Sequence, residues 1–304
     1  MYFTSLPDHS KPGFDEQRHF EQFKKHNIIF NALSQQSYCD NHVGCLSFKT
    51  VLSGEEWYGV NRNQLAVRPG QFLLLNNDQN YSCRIDTEQS SRCFSIFFKS
   101  EFASTVFQDA ISSEEILLDD PFRLSEKPLE FFQTLNAITP KLQMQLDDLL
   151  LFLDRWGYNA YGIDEKLSSI LLEFIGIHKI ELKRSKQVEA IKTSTKTELY
   201  KRLCTAKDLL HSSYMDNPDL ATIGKASCLS ISQLVRQFKA AFGLTPHQYL
   251  IRIKLNKAAE LLQNTSMGVN EITWSCGFEN QSAFCRAFKE SYGLQPNIFR
   301  ATKK

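Results

Sequence analysis

No run of uninterrupted apolar residues in the 304-residue sequence approaches the roughly eighteen needed for a transmembrane helix, so no membrane span is expected. The first residues, Met1 to His9, lack a basic start followed by an apolar stretch, and no secretory leader is read there. Cysteine occurs eight times, yet nowhere in CxxC or Cys/His ligand spacing. That pattern predicts reduced, mostly buried thiols in a cytoplasmic protein. The alternative left open is a redox pair of Cys83 and Cys93 on neighbouring strands. Histidine is as sparse where it would matter: between residues 27 and 99 only His42 occurs, so a metal centre lacks its ligands and no metal, cofactor or catalytic group is assigned. Net charge is nearly absent too, at +1. The balance hides a division, because residues 196–304 hold 15 Lys+Arg against 8 Asp+Glu (+7), while residues 1–195 hold 20 against 26 (−6). A basic segment of that kind suits nucleic acid, although a solvated basic face would look the same by charge alone.

What the chain does have is a stretch that occurs twice. Ser232, Leu234, Arg236, Phe238-Lys239, Phe242, Gly243-Leu244 and Pro246 recur fifty residues on as Ser282, Phe284, Arg286, Phe288-Lys289, Tyr292, Gly293-Leu294 and Pro296. Each copy spells a short helix opened by a small polar residue, with apolar residues at helical spacing and a glycine at the left-handed C-cap position. The proline that follows is placed in the first turn of another helix. Ahead of each copy, residues 219–229 and 269–278 read as about two helical turns and a tight turn. Short helix, turn, second helix with a polar outer face is the helix-turn-helix arrangement, whose second helix enters the DNA major groove.

Residues 196–304 resemble the DNA-binding domain of the AraC/XylS family of bacterial transcription regulators. The matching residues are Leu229-Ser230, Ser232, Leu234, Arg236, Phe238-Lys239 and Phe242-Gly243, then Gln248-Tyr249-Leu250 with Arg252. In the second half they are Cys276-Gly277-Phe278, Gln281-Ser282, Phe284, Arg286, Phe288-Lys289, Gly293, Pro296 and Arg300. The sequence departs from the family at Gly224, where alanine is usual, and at Ala283, where an aromatic is common. The resemblance implies a regulator that binds double-stranded DNA, with RNA polymerase as a further partner.

Between the two motifs, Pro246 to Gln263 spans about 27 Å as a helix. That is close to the roughly 34 Å between major-groove segments on one face of B-DNA, so a stiff spacer can serve both grooves. Ser232, Gln233, Arg236 and Gln237 lie off the apolar stripe of the first recognition helix, as do Asn280, Gln281, Ser282, Cys285 and Arg286 in the second. Arginine suits guanine and glutamine suits adenine, which makes Arg236, Arg286 and Gln281 the foremost base readers, with Gln233 beside them. In the family, the positions of Ser232, Val235, Arg236, Gln281, Ser282 and Arg286 approach base edges, and Val235 would offer a thymine methyl contact. Any one of them could instead be a solvated surface residue. Lys239, Arg252, Lys254, Lys289 and Arg300 are expected on phosphates.

The first part reads differently. Residues 1 to about 26, with Pro7, Pro12 and Gly13, suggest an arm. Short strands follow at 43–52, 56–60, 64–67, 71–75, 81–85 and 93–98, separated by turn-formers, and argue for a small antiparallel barrel or sandwich. The stretch Leu65 to Asn76, with Pro69-Gly70 between two strands, resembles the cupin-like effector domains that precede this DNA-binding domain in many AraC-type regulators. A barrel interior could hold a small-molecule effector, with Trp57, Tyr58, Phe72, Tyr81 and Phe97 as candidate lining; packing in a closed core is the other reading of each.

Leu142, Leu146, Leu149, Leu153 and Trp156, then Ile163, Leu167, Ile170, Phe174 and Ile177, give two helices in a hairpin. Their stripes either cover the barrel or make a homodimer contact through residues 142–177. Leu199, Leu203, Ala206 and Leu210 mark the helix that opens the second domain. The expected fold is therefore α+β: a cupin-like antiparallel β-barrel with a helical hairpin over residues 1–182, a linker at 183–195, and an all-α domain of two helix-turn-helix units joined by a long helix over 196–304. The expected function is sequence-specific DNA binding in transcription regulation, with a ligand or partner acting at the first domain. The alternatives are a cupin-like enzyme that carries DNA-binding modules, and a first domain that is only a protein-interaction module.

Overall fold

In the computed structural model, which describes residues 1–7, 15–61, 63–111 and 129–302, the chain divides into two units, Met1–Lys183 and Arg184–Lys304. The first holds β1 (Tyr2–Phe3), α1 (Glu16–Lys25), β2 (Ile28–Gly44), β3 (Ser47–Ser53), β4 (Glu56–Val60), β5 (Asn63–Val67), β6 (Gln71–Leu75), β7 (Gln79–Phe97), α2 (Ser100–Ile111) and β8 (Asn136–Ala137). A hairpin of α3 (Pro140–Trp156) and α4 (Ala160–Gln187) completes it, α4 running four residues past the end of the unit.

The strands form one half-barrel sheet in the order β1-β2-β7-β3-β6-β8, with β4 paired to both β5 and β7. β7 organises it, since residues 92–97 pair with β3 and residues 81–84 with β4, while β2 follows β7 along its other edge. Because side chains alternate along a strand, the sheet has two faces with different tasks. Phe48, Phe72, Leu74, Phe94, Ile96 and Phe98 lie on the side that packs against Leu142, Leu146, Leu149, Leu153, Ile163, Leu167, Ile170 and Phe174 of the hairpin. Phe174 is the hub, its ring stacked on those of Phe48 and Phe72 at 5.6 and 6.1 Å. Tyr58, Val60, Leu65, Leu73, Leu75 and Tyr81 form a separate cluster on the other side.

The hairpin stripes therefore cover the sheet. Trp156 does not share in this: it is 67% exposed at the end of α3. The strand at 43–52 is in fact interrupted by a turn at Cys45-Leu46, and the strands at 81–85 and 93–98 are one continuous β7. Cys83 and Cys93 thus sit ten residues apart on the same strand, not on neighbours, and Cys83 faces Cys39 of β2. The arm holds β1 and α1, while its Pro12 and Gly13 lie outside the described residues.

The second unit is helical: α5 (Thr193–Ser212), a 3-10 turn (Tyr214–Asp216), α6 (Leu220–Ser227), α7 (Ile231–Phe242), α8 (Pro246–Asn264), α9 (Val269–Ser275), α10 (Gln281–Tyr292) and α11 (Pro296–Ala301). The sequence repeat reappears as a structural one. Ser230 caps α7 by accepting from the Gln233 amide at 3.3 Å, and Asn280 caps α10 by accepting from the Ala283 amide at 2.8 Å. Gly243 and Gly293 close the two helices at φ +77° and +74°, each donating its amide to the lysine carbonyl four residues back. Phe238, Phe242 and Tyr249 interlock in the first half, and Phe288, Tyr292 and Phe299 occupy the same places in the second. Both motifs are built on α8: Leu255, Ala258, Ala259 and Leu262 join Ile272, Phe284 and Phe288 in one core.

Candidate nucleic-acid interface and barrel cavity

Burying Leu234 and Phe238 turns the opposite side of α7 outward. Ser232, Gln233, Arg236 and Lys239 are exposed there, with Val235 half-buried at the edge. Phe284 and Phe288 do the same for α10, leaving Gln281, Ser282, Arg286 and Lys289 exposed. Ser282, Arg286 and Lys289 line one shallow surface concavity with Cys285 and Gln295. Arg252 is exposed on α8, its guanidinium 5.2 Å from the Tyr249 ring.

Three sequence-based placements need correction. Lys254 is only 2% exposed, and its ammonium donates to the Asn217 side chain and, at 2.6 Å, to the Gly277 carbonyl. Burial lowers its pKa, and it is a structural clamp rather than an outward phosphate contact. Gln237 is likewise buried, with its Oε1 accepting from the Glu189 amide at 2.9 Å. Arg300 is half-buried and donates to the Leu262 and Met267 carbonyls, so it closes the end of α8 onto α11.

The Lys254 clamp ties the turn of the second motif to the 3-10 turn. Asn217 sits at φ +52° after the 3-10 turn, and its amide group donates to the same Gly277 carbonyl at 3.2 Å. Gly277 is at φ +70°, and a methyl group built on it would lie 3.0 Å from both Cα and the carbonyl oxygen of Met215. Backbone of the 3-10 turn that precedes the first motif is thus pressed against the turn of the second.

Arg236 pairs with an acidic side chain of its own unit. Glu189, in the segment between α4 and α5, pairs with its Nε at 3.4 Å. Both side chains are more than 60% exposed, so this is a weak surface pair that a phosphate or base could replace.

In the first unit, a cavity of about 60 Å³ opens on the sheet face away from the hairpin. Tyr58, Tyr81 and Phe97 line it. Phe72 does not, since the pleat turns it toward Phe174 and the hairpin. Trp57 is also turned away, its indole donating to Glu55 at 3.0 Å with Arg84 over its ring. Two lining residues were overlooked in the sequence: Lys49 and Glu56, 3% and 5% exposed. The available signal was alternation, because Glu56 lies two residues from Tyr58 and must share its face. Lys49 Nζ stands 3.5 Å from the Phe97 ring centroid and 5.3 Å from that of Tyr81. Desolvation pulls its pKa down to about 8, opposed by Cys83 and Glu56. Desolvation also raises the Glu56 pKa, against the field of Lys49.

Comparison with known proteins follows the same division. A family model described as a helix-turn-helix domain matches residues 223–302. The Msm operon regulatory protein of Streptococcus mutans is 30% identical over 261 residues, covering 86% of this chain and 84% of that protein. The HTH-type transcriptional regulator MtrA of Neisseria gonorrhoeae is 31% identical over 166 residues, 55% of this chain and 54% of the relative, so the chain spans about half the length of MtrA. Among solved structures, an AraC-type transcriptional regulator from Chromobacterium violaceum is 28% identical, covers 34% of this chain and 91% of its own, and superposes with a TM-score of 0.32. The length over which the Streptococcus mutans regulator matches includes both units, and with the duplicated motif it places this chain in the AraC/XylS family of helix-turn-helix transcription regulators.

Proposed function

We propose that this chain regulates transcription by binding double-stranded DNA site-specifically, with α7 and α10 in successive major-groove segments and with the β unit receiving the controlling signal. The observation that carries this reading is the pair of exposed polar rows, Ser232-Gln233-Arg236 and Gln281-Ser282-Arg286, on two equivalent helices built on one 19-residue helix. At 1.5 Å per residue α8 extends about 28 Å, close to the roughly 34 Å repeat of the duplex. Lys239, Lys289 and Arg252 would position the protein on phosphates, and self-association would use the outer side of α3 and α4, where Met144, Leu151, Trp156 and Tyr161 are exposed.

Arg286→Ala is expected to weaken binding to a site selected from random-sequence DNA by about 1–3 kcal/mol and to relax preference at one base position. Titration by fluorescence anisotropy measures both, and an unchanged affinity with an unchanged site preference overturns the role. Lys289→Ala should act differently. It should weaken binding uniformly across sequences and lower the slope of log K against log salt by about 1. A variant that kept the full slope would remove Lys289 from the phosphate contacts.

A further inference from the structure

The cavity of the β unit holds two buried groups of opposite charge that do not meet. Lys49 projects from β3 against the faces of Phe97 and Tyr81, and Glu56 projects from β4 with its carboxyl accepting hydrogen bonds from the Tyr58 hydroxyl and the Cys93 thiol. Among the described residues no salt bridge joins Glu56 to Lys49, and Glu56 Oε2 is left without a hydrogen-bond partner. Both side chains are more than nine-tenths buried and both line the same cavity.

An unpaired buried charge is costly, and a carboxylate oxygen without a donor more so. Two such groups lining one cavity form an incomplete set: an acceptor is wanted at Nζ and a donor at Oε2. A neutral polyol would supply hydrogen bonds and leave both charges uncompensated. A simple carboxylate would satisfy Lys49 and repel Glu56. A molecule carrying a carboxylate and an ammonium compensates both. Size narrows the class further, because a cavity of about 60 Å³, at roughly 10–15 Å³ for each water held, takes only a handful of waters, about the bulk of a small amino acid.

Building on the reading of this unit as the signal-receiving one, we propose that the cavity is a binding site for a small zwitterionic amino acid, its carboxylate on Lys49 and its ammonium on Glu56. Phe23, Phe30, Tyr58, Tyr81 and Phe97 give the cavity aromatic walls, with His42 and Ser95 as further polar lining. A cavity of that volume suits the smallest members of the class, glycine, alanine, serine and β-alanine.

The test is a thermal-shift series on the full chain with those four amino acids, with propionate, ethylamine and glycerol as single-function controls. At a hundredfold excess over the Kd, at least one amino acid should raise the midpoint of the β unit by about 5 °C. The controls should leave it unmoved. Lys49→Met and the near-isosteric Glu56→Gln should each abolish the shift while keeping a cooperative transition. The proposal is overturned if no amino acid stabilises the protein, if propionate or glycerol does so equally, or if the shift persists in Glu56→Gln. DNA binding measured on the same samples separates the two readings: retained DNA binding without any ligand shift ends this inference and leaves the regulator standing, whereas loss of DNA binding by the wild-type chain would undo the regulator reading itself.

Discussion

Replacing Gly277 with alanine is expected to weaken site-specific DNA binding at least tenfold while leaving the β unit folded. The position requires φ +70°, and an added methyl group would meet the backbone of Met215 at 3.0 Å and the Lys254 ammonium at 3.3 Å. The left-handed conformation alone costs a residue with a Cβ about 1–3 kcal/mol. Here the obstacle is backbone, which cannot rotate away as a side-chain tip can. Relief requires the turn between α9 and α10 to lift from the 3-10 turn, which breaks the bonds from Lys254 and Asn217 to the Gly277 carbonyl. The second recognition helix would then lose its fixed attitude to the first. The measurement is a binding titration beside circular dichroism: specific affinity should fall by at least tenfold, and non-specific affinity should change little, because exposed lysines and arginines remain. A variant that bound its selected site like the wild type would show that this buttress is not needed for recognition.

Lys49→Met is expected to stabilise the unliganded β unit by about 3 kcal/mol. The ammonium pKa falls from 10.5 to about 8 in the folded state, a difference that corresponds to a destabilisation of about that size at neutral pH. The sign follows from proton binding. Between about pH 8 and 10.5 the unfolded chain holds this proton and the folded chain does not, so the Lys49 contribution to stability rises with pH across that window and the full penalty stands below it. The groups that face Lys49 are Cys39 and His42 of β2, Cys45, Glu56 and Tyr58 of β4, and Tyr81 and Cys83 of β7. Burial pushes Cys45 to about 12 and Tyr58 and Tyr81 well above their ordinary values; for Cys83, the hydrogen bond its thiol donates to Cys39 leads and burial adds to it. Comparing wild type with variant by denaturant melts at pH 7 and 10 isolates the lysine. The gain should be large at pH 7 and smaller at pH 10, and a variant less stable than wild type at pH 7 would contradict a desolvated charge. Methionine keeps the length and apolar stem of lysine, so the change removes charge without opening a void.

The second unit was legible almost residue by residue, because its information is local. Caps, periodicity and the glycine–leucine–proline ending all lie within twenty residues of each other in each copy. Where the reading slipped, the helical period held the answer. Leu250, Lys254, Ala258 and Leu262 recur at intervals of four and are all buried, so Lys254 belonged to the inner row. Gln237, three residues after Leu234 and four before Ala241, is a parallel case. The β unit was legible in type and less so in detail. Residues 34–40 of β2 are polar or exposed in the main, and nothing in Ser34 to Asp40 marks a strand that runs seventeen residues. Its continuity comes from pairing with β7, a contact between segments some fifty residues apart in the chain. Tyr58, Tyr81 and Phe97 were found because aromatics draw notice. Lys49 and Glu56 were not, since charged residues in strands are ordinarily solvated, and only the cluster around them buries these two.

On β3 the cavity lysine is the immediate neighbour of Phe48, whose ring lies flat against Phe174 of the hairpin. A pleated strand has no slack between successive residues, and so whatever pushes on one side of it is felt on the other without any intervening relay. The sheet is in this sense a diaphragm: an occupant that moved Lys49 would press on the seat on which α4 rests.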